Sequence, residues 1–416
     1  MYSLLMHFFA WVMRFIALFN RKAQLMVKGQ QQTERILREG IQKGEQYIWF
    51  HAASLGEFEQ GRPLMERIKA DYPQYKLLLT FFSPSGYEVR KHYAGADVIC
   101  YLPFDTPGRV HRFLDLARPV AAVFIKYEFW GNYLKGLKQR HIPVFIISSI
   151  FRPTQLFFQW YGAPYRRMLH YFTHIFVQDA RSEALLQQFG ITNVTVTGDT
   201  RFDRVLDIQQ AAQEAPVVDA FVHDKAGNKR FTLVAGSSWP QDEAFLLPYF
   251  NAHPEMKLVI APHEIHEAHL AAIERALSRP AIRLSQVKEA SDIQEKECLI
   301  IDCFGLLSSI YRYGEVAYVG GGFGAGIHNT LEAAVYGVPV LFGPNFQKFK
   351  EAKDLIAAGG GISVANGQEF AAQMDRFQSD AKALSIAGKA AGQFVQQNAG
   401  STARILPALM AQIQSA

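Results

Sequence analysis

Short apolar runs alternate with amphipathic segments along most of this 416-residue chain. The pattern predicts strands at QYIWFHAAS, KLLLTFF and AAVFIKYE, and a helix at EFEQGRPLMERIKADYP between the first two. Apolar strands that alternate with helices are typical of parallel sheets covered by helices on both faces. The sequence therefore predicts an α/β fold of the doubly wound type, in which ligands bind beyond the carboxyl ends of the strands.

The alternation stops in the polar, mixed segment between about Asp203 and Arg230 and then resumes. Because a chain of this length exceeds one ordinary core, two domains are expected. The segment from Gln368 onward is predicted as two helices, which can pack back on the N-terminal domain. The predicted order is a membrane anchor at 1–22, an N-terminal domain at 23–207, a connection at 208–230 and a C-terminal domain at 231–416.

Positive charge is concentrated in the first half of the chain. The net charge is +5, but residues 1–207 carry +9 and the remainder carries −4. A basic half indicates an acidic partner, either nucleic acid or an anionic membrane surface. No nucleic-acid-binding motif occurs, which favours the membrane. The three cysteines have no metal-ligand spacing.

The first twenty residues, MYSLLMHFFAWVMRFIALFN, are mostly apolar and are followed at once by Arg21 and Lys22. No small-residue cleavage site follows the apolar run, so a removed signal peptide fits poorly. The run is near the lower length limit for a membrane span and contains His7 and Arg14. We therefore expect either a short span or an interfacial helix, with the basic flank on the cytoplasmic side.

The stretch 314–351 is predicted to form a strand, a glycine-rich loop, a short helix and a second strand. Glycines at a strand-to-helix turn let backbone N–H groups approach an anion. Asn329 is expected to cap the helix, with Glu332 completing a capping box and Gly337 ending the helix. Taken alone, the pattern fits an anion site or an ordinary tight turn equally well.

Polar residues follow the other predicted strands. Glu57, the pair Ser83 and Ser85, and Glu128 follow strands of the first half. Each has a structural alternative, because carboxylates complement helix dipoles and hydroxyls cap helices. In the second half, Gly236-Ser237-Ser238, Pro262-His263-Glu264 and Cys303-Phe304-Gly305 follow strands and favour a nucleotide site. A Walker lysine and a D-x-D metal motif are both absent from the sequence.

Five motifs occur in the order and spacing of a known family, and the similarity covers essentially the whole chain. They are HAASLGE at 51–57, KYEFWGN at 126–132, GDTRFD at 198–203, GSSWPQDE at 236–243 and GIHNTLEAAVYGVPVLFGPN at 326–345. The sequence resembles the 3-deoxy-D-manno-octulosonic acid (Kdo) transferases of lipopolysaccharide assembly.

The resemblance implies a GT-B fold, with two Rossmann-like domains facing a cleft and an N-terminal membrane-anchoring helix on the cytoplasmic face of a bacterial inner membrane. It implies inverting transfer of Kdo from CMP-Kdo to a lipid A precursor (lipid IVA), without a metal or other cofactor.

The resemblance also assigns roles to individual residues. Glu57 would be the general base, Glu128 a second catalytic carboxylate, and Arg201 a cation that stabilises negative charge on the donor. The residues expected at the CMP-sugar are Ser237, Ser238, Pro262, His263, Phe304, Gly305, Leu306, Gly322, His328, Asn329, Thr330, Leu331 and Glu332. Acceptor contacts proposed from hydroxyl and basic side chains are Ser83, Ser85, Arg152, Arg166 and Arg167, and the three arginines fit an ordinary basic face equally well.

The chain departs from the family pattern at several positions. Lys126 and Gly131 stand where glutamate and proline are usual, and Arg201 replaces a lysine. Pro262-His263-Glu264 lacks the usual arginine, and Leu306 replaces a common acidic residue.

Two alternatives remain open at this point: an enzyme like the nucleotide-sugar 2-epimerases, and a non-catalytic nucleotide-binding membrane adaptor. The apolar N-terminus argues against the first alternative. The presence of Glu57, Glu128 and Arg201 together argues against the second.

Overall fold

A computed structural model describes residues 2–212 and 214–415. The chain divides into two compact units. Unit 1 contains the chain up to Arg204 together with the segment that begins at Ala399, and unit 2 is Val205–Asn398.

The described part of unit 1 contains a sheet of seven strands, all paired in parallel. The strands are β1 (Gln46–Ala52), β2 (Tyr75–Phe81), β3 (Val98–Tyr101), β4 (Ala121–Ile125), β5 (Val144–Ser149), β6 (His174–Val177) and β7 (Val194–Val196). Their order in the sheet is β3-β2-β1-β4-β5-β6-β7. The inner strands β1 and β4 are almost entirely buried and mostly apolar, because helices cover both faces of the sheet, as parallel sheets require.

The helices of unit 1 pack against both faces of this sheet and form two apolar clusters. They are α1 (Tyr2–Ile16), α2 (Arg21–Gly40), α3 (Leu55–Asp71), α4 (Pro84–Arg90), α5 (Pro107–Ala117), α6 (Gly131–Gln139), α7 (Ala163–Leu169), α8 (Ala180–Gln188) and the start of α9 (Thr200–Gln210). The cluster on one face contains Trp49, Phe124 and Tyr133, and the cluster on the other contains Phe50, Phe58 and Phe81.

Unit 2 repeats the same construction. In its described residues a second parallel sheet has the order β10-β11-β9-β8-β12-β13-β14. The strands are β8 (Thr232–Ser238), β9 (Lys257–Pro262), β10 (Ala281–Arg283), β11 (Cys298–Ile300), β12 (Val316–Val319), β13 (Val340–Phe342) and β14 (Gly361–Ser363).

The helices of unit 2 are α10 (Pro216–Val222), α11 (Pro240–Ala252), α12 (Glu267–Ala276), α13 (Leu307–Ile310), α14 (Leu331–Ala334), α15 (Lys350–Ala357), α16 (Gly367–Ser379) and α17 (Ala381–Asn398). Short 3-10 turns occur at Leu156–Phe158, Leu284–Gln286, Ala290–Ile293 and Tyr311–Tyr313. Two parallel, helix-covered sheets confirm the predicted α/β, doubly wound fold.

The domain boundaries differ from the predicted ones in two respects. The boundary falls within α9, between Arg204 and Val205, a few residues before the predicted one. The segment 208–230, predicted as a connection, belongs to unit 2, because α10 buries Val218, Phe221 and Val222 there. Polar residues around this short helix hid the three buried positions in the sequence.

The C-terminal segment forms three helices, whereas two were predicted. Asp380 ends α16, and its side chain accepts a hydrogen bond from the Ala383 N–H at the start of α17. The last helix, α18 (Ser401–Gln414), lies in unit 1, where Ile405 and Leu409 join the apolar cluster of α3. The Asp203 carboxylate accepts hydrogen bonds from the N–H groups of Gly400 and Thr402 at the start of α18.

Helix α1 has 15 residues and buries Ala10. Among residues 2–212 and 214–415, no helix combines the length and apolar character needed to cross a membrane. Large apolar side chains of this N-terminal region are nevertheless exposed: Leu4, Leu5, Phe8, Trp11, Phe15, Ile16, Leu18 and Phe19. Phe8, Trp11 and Phe15 stack in one row along α1. Such a surface is far more apolar than a water-exposed helix normally presents.

Candidate active site

Strand pairing brings the two predicted catalytic carboxylates of unit 1 to one edge of the sheet. Strand β1 pairs with β4 in parallel, with His51 opposite Phe124, so the two strands end side by side. Glu57 lies in the first turn of α3, directly after β1, and Glu128 lies in the loop after β4. Their mutual electrostatic effect shows that the two groups are close, because the charge of Glu128 raises the pKa of Glu57.

Glu57 caps the N-terminus of α3, as the structural alternative predicted. Its Oε2 accepts hydrogen bonds from the N–H groups of Ala53 at 2.6 Å and Ser54 at 3.2 Å. A carboxylate in that position normally has a lowered pKa. Burial and then the Glu128 charge outweigh these hydrogen bonds and the nearby Lys126, and they raise the pKa of Glu57 to about 7. The carboxylate therefore exchanges its proton near neutral pH, as a general base should.

Glu128 is buried and held by two side chains that the sequence analysis did not assign to the site. Its Oε2 accepts hydrogen bonds from His51 Nε2 at 3.0 Å and from Trp130 Nε1 at 2.5 Å. His51 is itself fully buried, and its Nδ1 contacts Thr80 Oγ1 at 2.9 Å. A histidine within an apolar strand was the available signal for this contact, since a buried imidazole needs polar partners.

Arg201 lies at the same sheet edge, where its positive charge is paired with a carboxylate. Its Nε and Nη2 donate to Asp199 Oδ2 at 2.9 and 2.7 Å, and Asp199 also accepts from Gln60 Nε2. Burial raises the pKa of Tyr127, while the charges of Arg152 and Arg201 act to lower it. Tyr127, next to Glu128, is therefore near both arginines. The cation predicted from the family pattern is part of an Arg–Asp pair.

The remaining acceptor predictions separate into groups with different roles. Ser83 caps α4, where its Oγ accepts from the Ser85 N–H and contacts Ser85 Oγ at 3.0 Å. The Arg166 guanidinium donates to the carbonyl oxygens of Phe157 and Gln159 and stacks on Phe189. Arg166 therefore stabilises its own loop. Arg152 and Arg167 are exposed.

In unit 2, the ends of β8, β9 and β12 meet at the centre of the sheet. The His263 N–H donates to the Ser238 carbonyl, and the Gly320 N–H donates to the Gly236 carbonyl. Ser237, Pro262 and the glycine loop after β12 are consequently neighbours, as predicted from the order of the strands. Ser238 is buried, and its hydroxyl donates to Glu243 at 2.8 Å, so this side chain supports the turn.

Three aromatic rings line this strand edge. Trp239 stacks on His263 with centroids 4.6 Å apart, and His263 lies 4.4 Å from His328. Trp239 Nε1 donates to His328 Nε2 at 3.2 Å, which requires an unprotonated nitrogen. Burial and then the charge of His263 lower the pKa of His328 to about 4, which keeps that ring neutral. Flat rings of this kind suit stacking with a nucleobase.

Asp242 connects the glycine loop to the start of α11. Its Oδ2 accepts from the N–H groups of Trp239 and Gly321, and its Oδ1 accepts from the Tyr318 hydroxyl at 2.7 Å. Gly321 has a φ of 91°, which favours glycine, and a Cβ at Gly322 would lie 2.6 Å from the Gly343 backbone. The glycines are therefore required for close backbone packing, and Gly322 is itself buried.

The helix after this loop differs from its prediction. Helix α14 has four residues, and its N-cap is Thr330, while Asn329 Oδ1 accepts from the Leu331 N–H. Glu332 Oε1 accepts from Asn329 Nδ2 at 3.0 Å, so the expected reciprocal bond to the backbone is replaced by a bond between side chains. Because the N-cap lies one residue later than predicted, Glu332 is at the second helical position and not at the third, which a capping box requires.

Burial limits how some of the residues predicted at the nucleotide can contact a ligand. The side chains of Thr330 and Leu331 are fully buried, so these residues can face a ligand only through their backbones. Phe304 is 76% exposed, and Gly305 has a φ of 89° in the turn before Leu306.

Tyr311 is a neighbour that the sequence analysis missed. Its buried hydroxyl lies 2.0 Å from where a Cβ on Gly236 would be. Burial, with a smaller effect from Glu332, raises the pKa of this tyrosine. Since the Tyr311 hydroxyl lies beside Gly236, Glu332 is also near the end of β8.

Two doubly wound units of this kind fit the GT-B class of folds. Solved structures with a similar fold include the UDP-GlcNAc 2-epimerase of Neisseria meningitidis, with a TM-score of 0.61 and 15% identity over 88% of this chain and 99% of that one. MurG of Acinetobacter baumannii has a TM-score of 0.53 and 11% identity over 89% of this chain and 100% of that one. Similarity at such identities concerns the fold alone.

Sequence relatives identify the family. Residues 20–204 match the family described as 3-deoxy-D-manno-octulosonic-acid transferase (kdotransferase). The curated transferase of that name from Aquifex aeolicus is 25% identical over 85% of this chain and 92% of its own length. The one from Bordetella pertussis is 27% identical over 87% and 86%. Residues 20–204 therefore carry the domain of the Kdo transferase family, the similarity to curated Kdo transferases covers most of the chain, and the protein is a glycosyltransferase.

The neutral state of His328 predicts a pH dependence of stability. Because the folded pKa is about 4 and the unfolded value is near 6.5, the unfolded chain binds a proton first as the pH falls. Stability from this residue is complete above pH of about 6.5 and is lost between about 6.5 and 4. His328→Gln keeps an acceptor for Trp239 but does not titrate. We expect thermal melts from pH 7.5 to 4.5 to show a larger loss of stability in the wild type than in this variant, and equal slopes would contradict the assignment.

Proposed function

We propose that this chain transfers Kdo from CMP-Kdo to a hydroxyl of a lipid A precursor (lipid IVA), with Glu57 as the general base. The observation that carries the proposal is the pair of carboxylates at adjacent strand ends in a chain that carries the domain of the Kdo transferase family. The raised pKa of Glu57, about 7, lets it exchange its proton near neutral pH, and backbone N–H groups fix its orientation.

In the proposed step, Glu57 removes the proton from the acceptor hydroxyl. The hydroxyl oxygen forms a bond to the anomeric carbon of Kdo, and the bond from that carbon to the phosphate oxygen breaks. CMP leaves with the bonding electron pair, and the configuration inverts. Glu128 raises the basicity of Glu57 through its negative charge, and His51 and Trp130 hold it in place for that purpose. No metal is required in this step, since the leaving group is a nucleoside monophosphate.

The donor half of the proposal concerns unit 2. The ring row of Trp239, His263 and His328 offers flat surfaces for the cytosine. In the glycine loop after β12, Gly324 leaves open backbone for the phosphate, and Glu332 offers an acceptor for ribose hydroxyls. In unit 1, the Arg201–Asp199 pair orients the loop at the sheet edge, and we assign it a supporting role rather than that of a free cation.

The exposed apolar row of α1 supports contact with a membrane. We propose that α1 lies in the interfacial plane on the cytoplasmic face of the bacterial inner membrane. The apolar side chains Phe8, Trp11 and Phe15 face the lipid, and Arg21 and Lys22 lie at the headgroups. This arrangement would hold the enzyme beside a lipid acceptor without a membrane span.

Glu57→Gln tests the base directly. The amide keeps the size of the side chain and an acceptor for the Ala53 N–H but cannot take a proton. With CMP-Kdo and tetraacylated lipid A precursor in the presence of chelator, the mass gain of the lipid is expected to slow by about 10²–10⁴-fold. CMP binding, measured by calorimetry, is expected to be unchanged.

Glu45→Gln, at an exposed position of the same unit, is the matched control and should retain full turnover. Near-normal turnover by Glu57→Gln would remove Glu57 from its role. No mass gain with the wild-type protein would overturn the proposed reaction itself.

Glu128→Gln tests the electrostatic link between the carboxylates. In the wild type, kcat is expected to rise with pH through about 7, because the base acts only when deprotonated. The glutamine removes the negative charge that raises the Glu57 pKa and leaves an acceptor for His51 and Trp130. We therefore expect the acid limb of the profile to move to lower pH while staying above the ordinary glutamate range, because burial persists. An acid limb at an unchanged pH would contradict the link.

Phe8→Ser combined with Phe15→Ser tests the membrane contact. Losing two exposed aromatic side chains should lower partitioning onto anionic vesicles by about 10- to 100-fold. Val89→Ser with Ile386→Ser is the control, because those residues are exposed to a similar extent and belong to helices other than α1. Equal partitioning of the two double variants, measured by flotation, would contradict the proposed contact.

A further inference from the structure

A basic cavity of about 270 Å³ lies between α1 and the start of α5. Its lining combines side chains from the outer part of α1 with residues at the start of α5. The lining residues that carry the argument are His7, Trp11, Arg14, Gly108, Arg109 and Arg112. A cavity with three guanidinium groups and no lining carboxylate favours an anion.

The arginines of this cavity repel one another. Burial, and after it the positive charge of Arg14, lowers the pKa of Arg109, and the charge of Arg112 acts in the same direction. Arg112 pairs with Glu34 at 2.9 Å. Within 2–212 and 214–415, no carboxylate forms an ion pair with Arg14 or Arg109. An anion would remove this repulsion.

The start of α5 adds a second attraction for an anion. Gly108 lines the cavity, and nothing lies within 4 Å of where its Cβ would be, so the backbone is open there. The helix has 11 residues, and its dipole places partial positive charge at this end.

A smaller cavity of about 110 Å³ shares Arg109 and Arg112 and is also lined by Glu34, the partner of Arg112. Gln30 lines it and is only 6% exposed. Its Oε1 accepts from the Phe104 N–H and from Arg109, but its buried Nε2 donor has no partner among the described residues. Gln30 therefore holds the Arg109 guanidinium from the side opposite the larger cavity, and it does not itself contact an anion bound there.

We propose that the cavity between α1 and α5 binds the phosphate of a membrane-lipid headgroup, with Arg14 and Arg109 as its principal contacts. Trp11 belongs both to this lining and to the exposed aromatic row of α1, so a headgroup in the cavity would have its acyl chains beside that row. The inference rests on the proposed membrane contact of α1 and adds a specific site to it. Arginine forms paired hydrogen bonds with phosphate, and two arginines can share the several acceptor oxygens of one phosphate group.

The test compares vesicles of phosphatidylcholine that contain either phosphatidic acid or oleate, matched in measured surface potential. The full-length wild-type protein is expected to prefer phosphatidic acid by about tenfold, because its phosphate presents more acceptor oxygens to two guanidinium groups than the oleate carboxylate does. Arg14→Gln combined with Arg109→Gln should abolish the preference. Arg67→Gln with Lys43→Gln removes the same charge from other exposed positions of unit 1 and should keep it.

Circular dichroism and melting temperatures check that each variant folds. Arg14→Gln alone changes an exposed residue and should weaken the preference even if the double variant is unstable. Inorganic phosphate at constant ionic strength should not release the wild type from phosphatidic acid. Release would assign the cavity to free phosphate and overturn the lipid assignment. Equal binding to both vesicles would overturn the phosphate site alone, whereas binding to neither would contradict the membrane contact of α1.

Discussion

The parallel pairing of β1 with β2 on one side and β4 on the other is the constraint on which unit 1 depends. Buried backbone groups must find partners, and three adjacent parallel strands satisfy them only by ending at the same edge. The residues after those strands then have to meet, whatever their separation in the chain. Glu57 and Glu128 are 71 positions apart in the sequence and become electrostatic neighbours for this reason.

The two carboxylates lie close together but have different hydrogen-bond partners. Glu57 receives hydrogen bonds from the backbone, yet burial and a like charge dominate and raise its pKa to about 7. Glu128 receives side-chain hydrogen bonds from His51 and Trp130. In unit 2, the carboxylate of Asp242 is fully buried, and it stabilises the glycine loop by accepting a hydrogen bond from the Gly321 N–H.

The long apolar strands were predictable, because their composition leaves few alternatives. The strands β7, β10 and β14 were not, since each has three residues and lies at or near a sheet edge where a neighbour decides the pairing. The break at Asp380 was also missed, because residues on both sides of it favour helix. In the site, Glu57 and Glu128 were found from their positions after strands. His51 and Tyr311 were not, since their roles depend on partners far away in the sequence.

The order of strands and helices, the positions of the polar residues that follow the strands, and the family all follow from the sequence, because these depend on local periodicity and on motifs that the chain carries openly. The tertiary structure decided which of those residues remain available. In the folded chain, Arg201 donates hydrogen bonds to Asp199, and Ser238 donates one to Glu243. The side chains of Thr330 and Leu331 are buried. The tertiary structure also set the Glu57 pKa and gathered arginines from α1 and α5 into one cavity, because burial and charge–charge effects depend on distances that no linear pattern encodes.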